Sequence, residues 1–478
     1  MSAFEIRDAI HTRIVLSPRE QEILDHPYVQ RLRHIRQLGF VPLVYPSATH
    51  DRFSHSIGTM HVAGLLANAI CESEASVLSR ILSRTEKDFL RGILRLAGLL
   101  HDIGHAPFSH SAESAMPLVS RLIFPKAWNV NARDERPATH EDYTALLIAG
   151  MAEEPKAVLT QDEAVIIASL VHHMRIPVPT AWKKHFSKRV NAVSLHAIVR
   201  SLISGNADAD RMDYLLRDAY FTGVPYGRFD LAWLAANLGS VVREGTYMLA
   251  IPESSILALE HFFFARFHMY AQVYMHKTAK CFEYFFQQAL KEKEIPYEIP
   301  SEREAYAALR DATLIDALSR TAAEHPSSWS GRLMRREPAK RIARIVGNPT
   351  AAQKLLRALR RDCAGKGIRI FSCASHKKFL DIPSGVGRVL RPGAQGAFLF
   401  GLSAVPMAVT RRSLGITSVS PLAEYASILK HYRQDIFIDD LYILRDDYAA
   451  HTRFLKKIMA RHRTFAEGEV LLDEEETI

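Results

Sequence analysis

Between Leu96 and Ser114 the chain reads LAGLLHDIGHAPFSHSAES, with His101 and Asp102 side by side after an apolar run and His105, His110 and Glu113 close behind. Residues 96, 97, 99, 100 and 103 are apolar and fit one helical face. Gly104 can stop that helix and Pro107 breaks it, so the plain reading is a polar helix end. That reading leaves His105 and His110 without a reason. An imidazole beside a carboxylate is also half of a divalent-metal site, in which a partly apolar surround fixes the rotamers. Two protein ligands are too few, so other segments must supply the rest.

Three segments qualify. HDRFSHSIGTMHVAGLLANAI (50–70) carries an apolar stripe from about Ser54, with His55 at the start of a helix and Arg52 just before it. In NADADRMDYLLRDAYFTGVPYGRFD (206–230), Asp210, Tyr214 and Asp218 fall at i, i+4 and i+8, so one helix face holds two carboxylates and a phenol, flanked by Arg211 and Arg217. A charged solvent face is the plain alternative. ARFHMYAQVYMHKTAK (265–280) repeats Arg266, Tyr270, Tyr274 and Lys277 on one side, which suits a phosphate and a stacked base or sugar as well as it suits a surface helix.

The elements that position these residues belong to a chain of 478 residues, 48% hydrophobic and 24% charged, long enough for a large core. The fold class expected is mostly α: a helical domain over 1–290, a helical extension over 291–365 after the Pro-marked joint EKEIPYEIPSER, and a smaller C-terminal α+β region over 366–478. Residues 303–323 and 339–361 read as helices. GIRIFSCA, GAFLFGL and DDLYIL read as strands, with PLAEYASILKHY as a helix between them. No apolar run reaches the roughly 18 residues of a membrane span, so no membrane partner is expected. The opening MSAFEIRDAIHTRI has no apolar signal-peptide core. Cys71, Cys281, Cys363 and Cys373 form no CxxC pair, which points to a reducing, cytoplasmic setting. A net charge of +9 implies an anionic partner, a nucleotide or a nucleic acid, although the basic runs are short.

The order His55 … His101-Asp102 … Asp210 resembles the H…HD…D pattern of HD-domain metal-dependent phosphohydrolases. The longer blocks HPYVQRLRHIRQLGFVPLVYPSATHDRFSHSIGTMHVAGLLA, LAGLLHDIGHAPFSHSAE, THEDYT and DADRMDYLLRDAYFTGV resemble its dNTP triphosphohydrolase branch, over roughly residues 5–290. The resemblance implies a helical HD domain and the following roles. His55, His101, Asp102 and Asp210 would bind one divalent ion. His105, His110 and Glu113 would surround the attacked phosphate, and His140 would donate a proton. Arg52, Arg211 and Arg266 would hold the triphosphate. Gln37, Leu38, Tyr214, Asp218 and Tyr274 would line deoxyribose and base. Arg211 stands where lysine is common in the family, and Met275 where some relatives have glutamine. Nothing before residue 50 reads as a SAM domain. Asp25, Gln30 and Arg33 match positions that, in activated relatives, bind a guanine nucleotide (GTP or dGTP) at an interface of a homo-oligomer, a dimer or tetramer. The same trio suits a plain helix start, with Asp25 capping and Arg33 pairing across a turn.

The chemistry stands without the family. Two neutral imidazoles and two carboxylates suit Mn, Fe, Mg, Zn or Ni and leave positions for water and a phosphate oxygen. Arginines and further histidines supply the positioning and charge that phosphoryl transfer needs. The double histidine His172-His173 raises a second ion, as in dinuclear HD phosphodiesterases, but the closer resemblance is to the mononuclear branch and implies one ion. Three functions fit: hydrolysis of dNTPs to deoxynucleoside and triphosphate; an HD phosphatase or phosphodiesterase acting on monophosphates, modified nucleotides or nucleic-acid ends; and a non-catalytic nucleotide sensor.

Overall fold

The computed structural model describes residues 4–128, 135–172, 176–377, 407–413, 416–421, 436–462 and 470–471. The chain opens on an antiparallel hairpin, β1 (Phe4–Asp8) and β2 (Thr12–Leu16), paired from Phe4↔Leu16 to Asp8↔Thr12. Long helices follow: α1 (Arg52–Glu72), α2 (Arg84–Leu100), α3 (His140–Glu153), α4 (Gln161–Val171), α5 (Ala192–Ser201) and α6 (Ala209–Thr222). Their starts are written in the sequence. Asp51 accepts from Ser54 N at 2.9 Å to cap α1, Ser83 and Glu86 form a capping box on α2, and Asp208 accepts from Arg211 N at 2.8 Å to cap α6. α1 runs through the middle of the body and packs against both α2 and α6. Leu96, Ala97, Leu99 and Leu100 of α2 are all buried in the main core.

A second hairpin, β3 (Gly239–Arg243) and β4 (Thr246–Pro252), precedes α7 (Ile256–Met269), which passes through a wide π turn at Tyr270–Tyr274 before α8 (Lys277–Lys291) and α9 (Asp311–Glu324). The rest is α+β: β5 (Lys340–Val346), α10 (Pro349–Cys363), β6 (Ile370–Lys377), β7 (Met407–Ser413), β8 (Ile416–Pro421), β9 (Ile436–Ile443), α11 (Arg445–His462) and β10 (Val470–Leu471). One sheet has the order β10-β5-β9-β6, all antiparallel. Its two faces split by the period of two: Phe371, Ile438 and Tyr442 join the main core, whereas Ile370, Leu441 and Ile443 join a separate core with Leu355, Leu359, Leu455 and Ile458 of α10 and α11. The other sheet has the order β3-β4-β7-β8, and β7 lies parallel to β4 with Leu249 opposite Met407.

The molecule is mostly helical with small sheets toward its C-terminal part, as the composition and patterning indicate. Two local expectations change. The helix over 339–361 starts only at Pro349, because KRIARIV forms β5 against β9 and Gly347, with φ of +74°, turns the chain into the Asn348 cap. The β-branched Ile342, Ile345 and Val346 favour that ladder over a helix. The first 290 residues also carry two hairpins that their helical patterning hides. GAFLFGL and all but the first residue of PLAEYASILKHY lie outside the described residues. Among the described residues no helix is long and apolar enough to cross a membrane.

Candidate functional site

His55 is fully buried in the first turn of α1 and faces α6. Its Nδ1 lies 2.7 Å from Asp213 Oδ2, and its Nε2 lies 3.0 Å from Asp210 Oδ1 and 3.6 Å from Asp102 Oδ2. His101 follows the last residue of α2 and donates from Nδ1 to Gly98 O at 2.8 Å, which fixes the proton on that nitrogen. Its Nε2 then points at Asp102 Oδ1 and Asp210 Oδ1, both at 3.4 Å. Among the described residues that buried Nε2 has no hydrogen-bond partner. Ligand atoms of His55, His101 and Asp102 therefore come together, and Asp210 Oδ1 lies against both imidazoles. Such a donor set repels itself unless a cation sits between the atoms, so these residues fit a divalent metal. The protein field agrees. Burial opposes charge on both carboxylates, yet His101 and Arg52 hold Asp102, and His101 and His55 hold Asp210, well below the usual carboxylate range. Burial likewise opposes a charge on His55, but Asp210 and Asp213 raise its pKa to about 10.

Beside this cluster His105, His110, Glu113 and His140 come together. THED explains its own geometry. Asp142 accepts from Thr139 N at 2.8 Å, starting α3 with His140 at the first helical position. The His140 ring stacks on His105 at 3.9 Å between centroids, and His110 meets both edge-on. Glu113 Oε1 is bonded by His140 Nδ1 and lies 3.2 Å from His110 Nδ1. The stacked pair is driven apart. Burial, then the charges of Arg52 and His140, push the His105 pKa well down, whereas Glu113 overcomes the burial of His140 and raises it. Two imidazoles in contact, one pushed toward the neutral form and one toward the charged form, make an acid/base arrangement. His105 Nε2 lies 3.3 Å from Asp102 Oδ1, so Asp102 joins the two clusters.

The loop that carries these groups is held from behind through its backbone. Arg31, 1% exposed, donates from Nη1 to Ile103 O at 2.7 Å and from Nη2 to His105 O at 2.9 Å. Tyr306 OH donates to Gly104 O at 2.5 Å. A Cβ on Gly104 would meet Thr144 N at 2.1 Å, so only glycine fits against α3. Phe108 and Ser109 both adopt left-handed backbone, with φ of 56° and 58°. The buried Asp311 stabilises that turn by accepting from Phe108 N and Arg36 N, each at 2.9 Å. Ser109 Oγ accepts from Arg52 Nε at 2.7 Å, and the other end of Arg52 donates to Asp102.

A cleft of about 220 Å³ opens over both clusters, lined by Gln37, Arg52, His101, Asp102, His105, His110, His140, Asp210, Arg211 and Tyr214 of the sequence-selected residues. Tyr270, singled out on the 265–280 segment, lines it as well, and so do Glu141 and Ser204, which were not foreseen. Asp218 is buried instead, held by His50 Nε2 at 2.8 Å and Tyr274 OH at 2.6 Å, and Leu38 and Arg266 also lie off the lining. Arg211 pairs with its own cap residue Asp208. Asp25 is exposed at the end of helix Pro18–Leu24. Gln30 donates to Leu24 O at 2.9 Å, and Arg33 donates to Gln30 Oε1 at 2.9 Å while lying 3.6 Å over the Phe53 ring. His172 Nε2 meets Asp142 Oδ1 at 2.9 Å, and His173 lies outside the described residues. Sequence reasoning missed Asp213, Arg31, Tyr306 and Asp311. Asp213 alone left a trace, as a third acid on the helix that carries Asp210.

Residues 52–218 match the HD domain family and residues 240–383 match the HD associated region. An uncharacterized protein of Methanocaldococcus jannaschii is 34% identical over 285 residues, 60% of this chain and 49% of that protein. The human deoxynucleoside triphosphate triphosphohydrolase SAMHD1 is 27% identical over 343 residues, 66% of this chain and 51% of that protein. The chain thus spans about half the length of these relatives. In fold it is similar to a hypothetical protein from Aquifex aeolicus, with a TM-score of 0.66 and 23% identity over 97% of this chain and 100% of the other. A phosphohydrolase from Bacteroides thetaiotaomicron gives 0.64 and 21% over 93% and 100%.

Proposed function

We propose that this chain, whose residues 52–218 match the HD domain family, is a phosphohydrolase that hydrolyses deoxynucleoside triphosphates to deoxynucleoside and inorganic triphosphate. The observation that carries the reading is the junction at Asp102 between the candidate ligands His55, His101 and Asp102, with Asp210 beside them, and a stacked histidine pair, on the floor of a cleft with Arg52 and Arg211. The similarity to the human triphosphohydrolase supports a nucleotide substrate.

His55, His101, Asp102 and Asp210 would hold one divalent ion, which supplies Lewis-acid activation of water and of the phosphate. Arg52 and Arg211 bind phosphate oxygens and orient the α-phosphorus. Arg52 is well placed for this because Ser109 and Asp102 already fix its guanidinium. Water oxygen bonds to that phosphorus as the bond to the 5′-oxygen breaks, His140 delivers its proton to the departing oxygen, and the proton that the water gives up restores His140. Glu113 keeps His140 charged until then. Tyr214, half-buried at the cleft, packs against the sugar and excludes a 2′-hydroxyl. A dimer or tetramer and one ion per chain complete the proposal, which mass and metal analysis check. The deciding experiment is product analysis with each dNTP, NTP and dNMP in Mn²⁺ or Mg²⁺. Triphosphate released from dNTPs alone supports the reading. Orthophosphate, or equal turnover of NTPs, replaces it with a phosphatase of broader scope.

A further inference from the structure

We propose that the N-terminal hairpin β1–β2, which precedes the matched HD region, completes the metal site: His11 and Asp8 are positioning residues that hold the ligand His55 through Asp213 and Arg217. The inference rests on the metal-binding part of the proposed function. His55 can present Nε2 to an ion only if its Nδ1 proton has a fixed acceptor, and that acceptor is Asp213 Oδ2 at 2.7 Å. Asp213 is completely buried and could rotate were it held there alone. It is not. His11 Nε2 lies 2.7 Å from Asp213 Oδ1, and Arg217 donates to both oxygens, from Nε to Oδ2 and from Nη2 to Oδ1, each at 2.9 Å. Each carboxylate oxygen thus has two donors, which fixes its plane.

Arg217 is itself fixed by the hairpin. Its Nη1 donates to Asp8 Oδ2 at 2.9 Å. The other Asp8 oxygen accepts from Ile10 N and His11 N, both at 2.9 Å, which shapes the turn that points His11 inward. The side chains of Asp8, His11 and Arg217 are 8%, 4% and 1% exposed, so solvent does not replace any of these partners. The helix opposite makes room for them. Gly58 stands three residues after His55 on α1, and a Cβ there would lie 1.9 Å from Asp213 Oδ1 and 2.3 Å from Arg217 Nη2. A glycine inside a long helix costs about 1 kcal/mol, and here it admits the carboxylate and guanidinium that orient a ligand.

The test titrates Mn²⁺, and Fe²⁺ and Zn²⁺ in turn, into apo full-length protein without nucleotide, reading affinity by calorimetry alongside circular dichroism and melting temperature. His11→Ala is expected to weaken binding by about 10–100-fold with the fold retained. His11→Gln, whose amide can donate to Asp213 in place of Nε2, is expected to bind within a few-fold of wild type. Asp8→Asn is expected to lie between them. Lower melting temperature with unchanged affinity in His11→Ala would mean that the hairpin only braces the fold, and would overturn the inference while leaving the metal site standing. A wild-type protein that takes up none of the three ions would overturn the metal reading itself.

Discussion

The two histidine clusters lie side by side and are built on opposite plans. In the first, every ring is tied down from behind: His101 Nδ1 to a main-chain carbonyl and His55 Nδ1 to Asp213, so that each Nε2 faces forward. In the second, His110 and His140 share one carboxylate, Glu113, and His140 leans on His105 ring to ring. His55 is fully buried, while the His110 side chain is 63% exposed. Rings fixed by backbone and buried charge suit an ion that must stay. A ring that shares its acceptor and is pushed toward the charged form, stacked on one pushed toward the neutral form, suits a proton that must move. Asp102 belongs to both, at 3.4 Å from one cluster and 3.3 Å from the other.

The strongest way to break this contrast is to empty the first cluster. Asp210→Ala, or His101→Ala with Asp102→Ala, is expected to abolish both bound metal and turnover with the helical circular dichroism intact, and full metal occupancy in either variant would refute the assignment. His140→Gln should separate the clusters: turnover falls on the order of 10²–10⁴-fold while metal stoichiometry stays at the wild-type value. Loss of metal in that variant would merge the two. The pH profile sharpens the second plan. Glu113 raises the His140 pKa, so the protonated donor persists to higher pH than a free imidazole allows, and the rate falls as pH rises through that raised value. Glu113→Gln removes the cause, so the alkaline limb of kcat should move to lower pH with metal content unchanged. The smallest effect belongs to the frame. Asp311→Asn turns one of the two acceptors facing Phe108 N and Arg36 N into a donor, which should cost about 1–3 kcal/mol of stability, read as a lower melting temperature.

What the sequence disclosed, and what it hid, follows from the range of each interaction. The i, i+4 spacing of Asp210 and Tyr214 on α6, the Asp51 and Asp208 caps and the THED capping pair are local, so they can be read directly from neighbouring letters. Asp218 shares the spacing but is drawn into the interior by His50 and Tyr274, which no periodicity announces. Arg31, Tyr306 and Asp311 act on main-chain atoms of a loop far from them in sequence, and a contact between a side chain and a backbone carbonyl or amide leaves no pattern at either end. His11 lies 202 positions from its partner Asp213 and looked like an ordinary residue of a terminal segment. β5 did carry a signal, since Ile342, Ile345 and Val346 of KRIARIV are β-branched, but the run merges with the helical pattern that follows it and its antiparallel partner β9 lies far along the chain.

The parallel pairing of β4 with β7 sets an order of events during synthesis. Leu249 and its neighbours in β4 pair on one side with β3 within a few residues, but their other edge waits for Met407 and the strand that follows it. At ribosomal speeds of about 5–20 residues per second, that edge stays open for roughly ten to thirty seconds after it emerges, an interval in which it can template pairing with any passing strand. Efficient production of this chain therefore depends on how well the nascent β4 is shielded before its own late partner arrives.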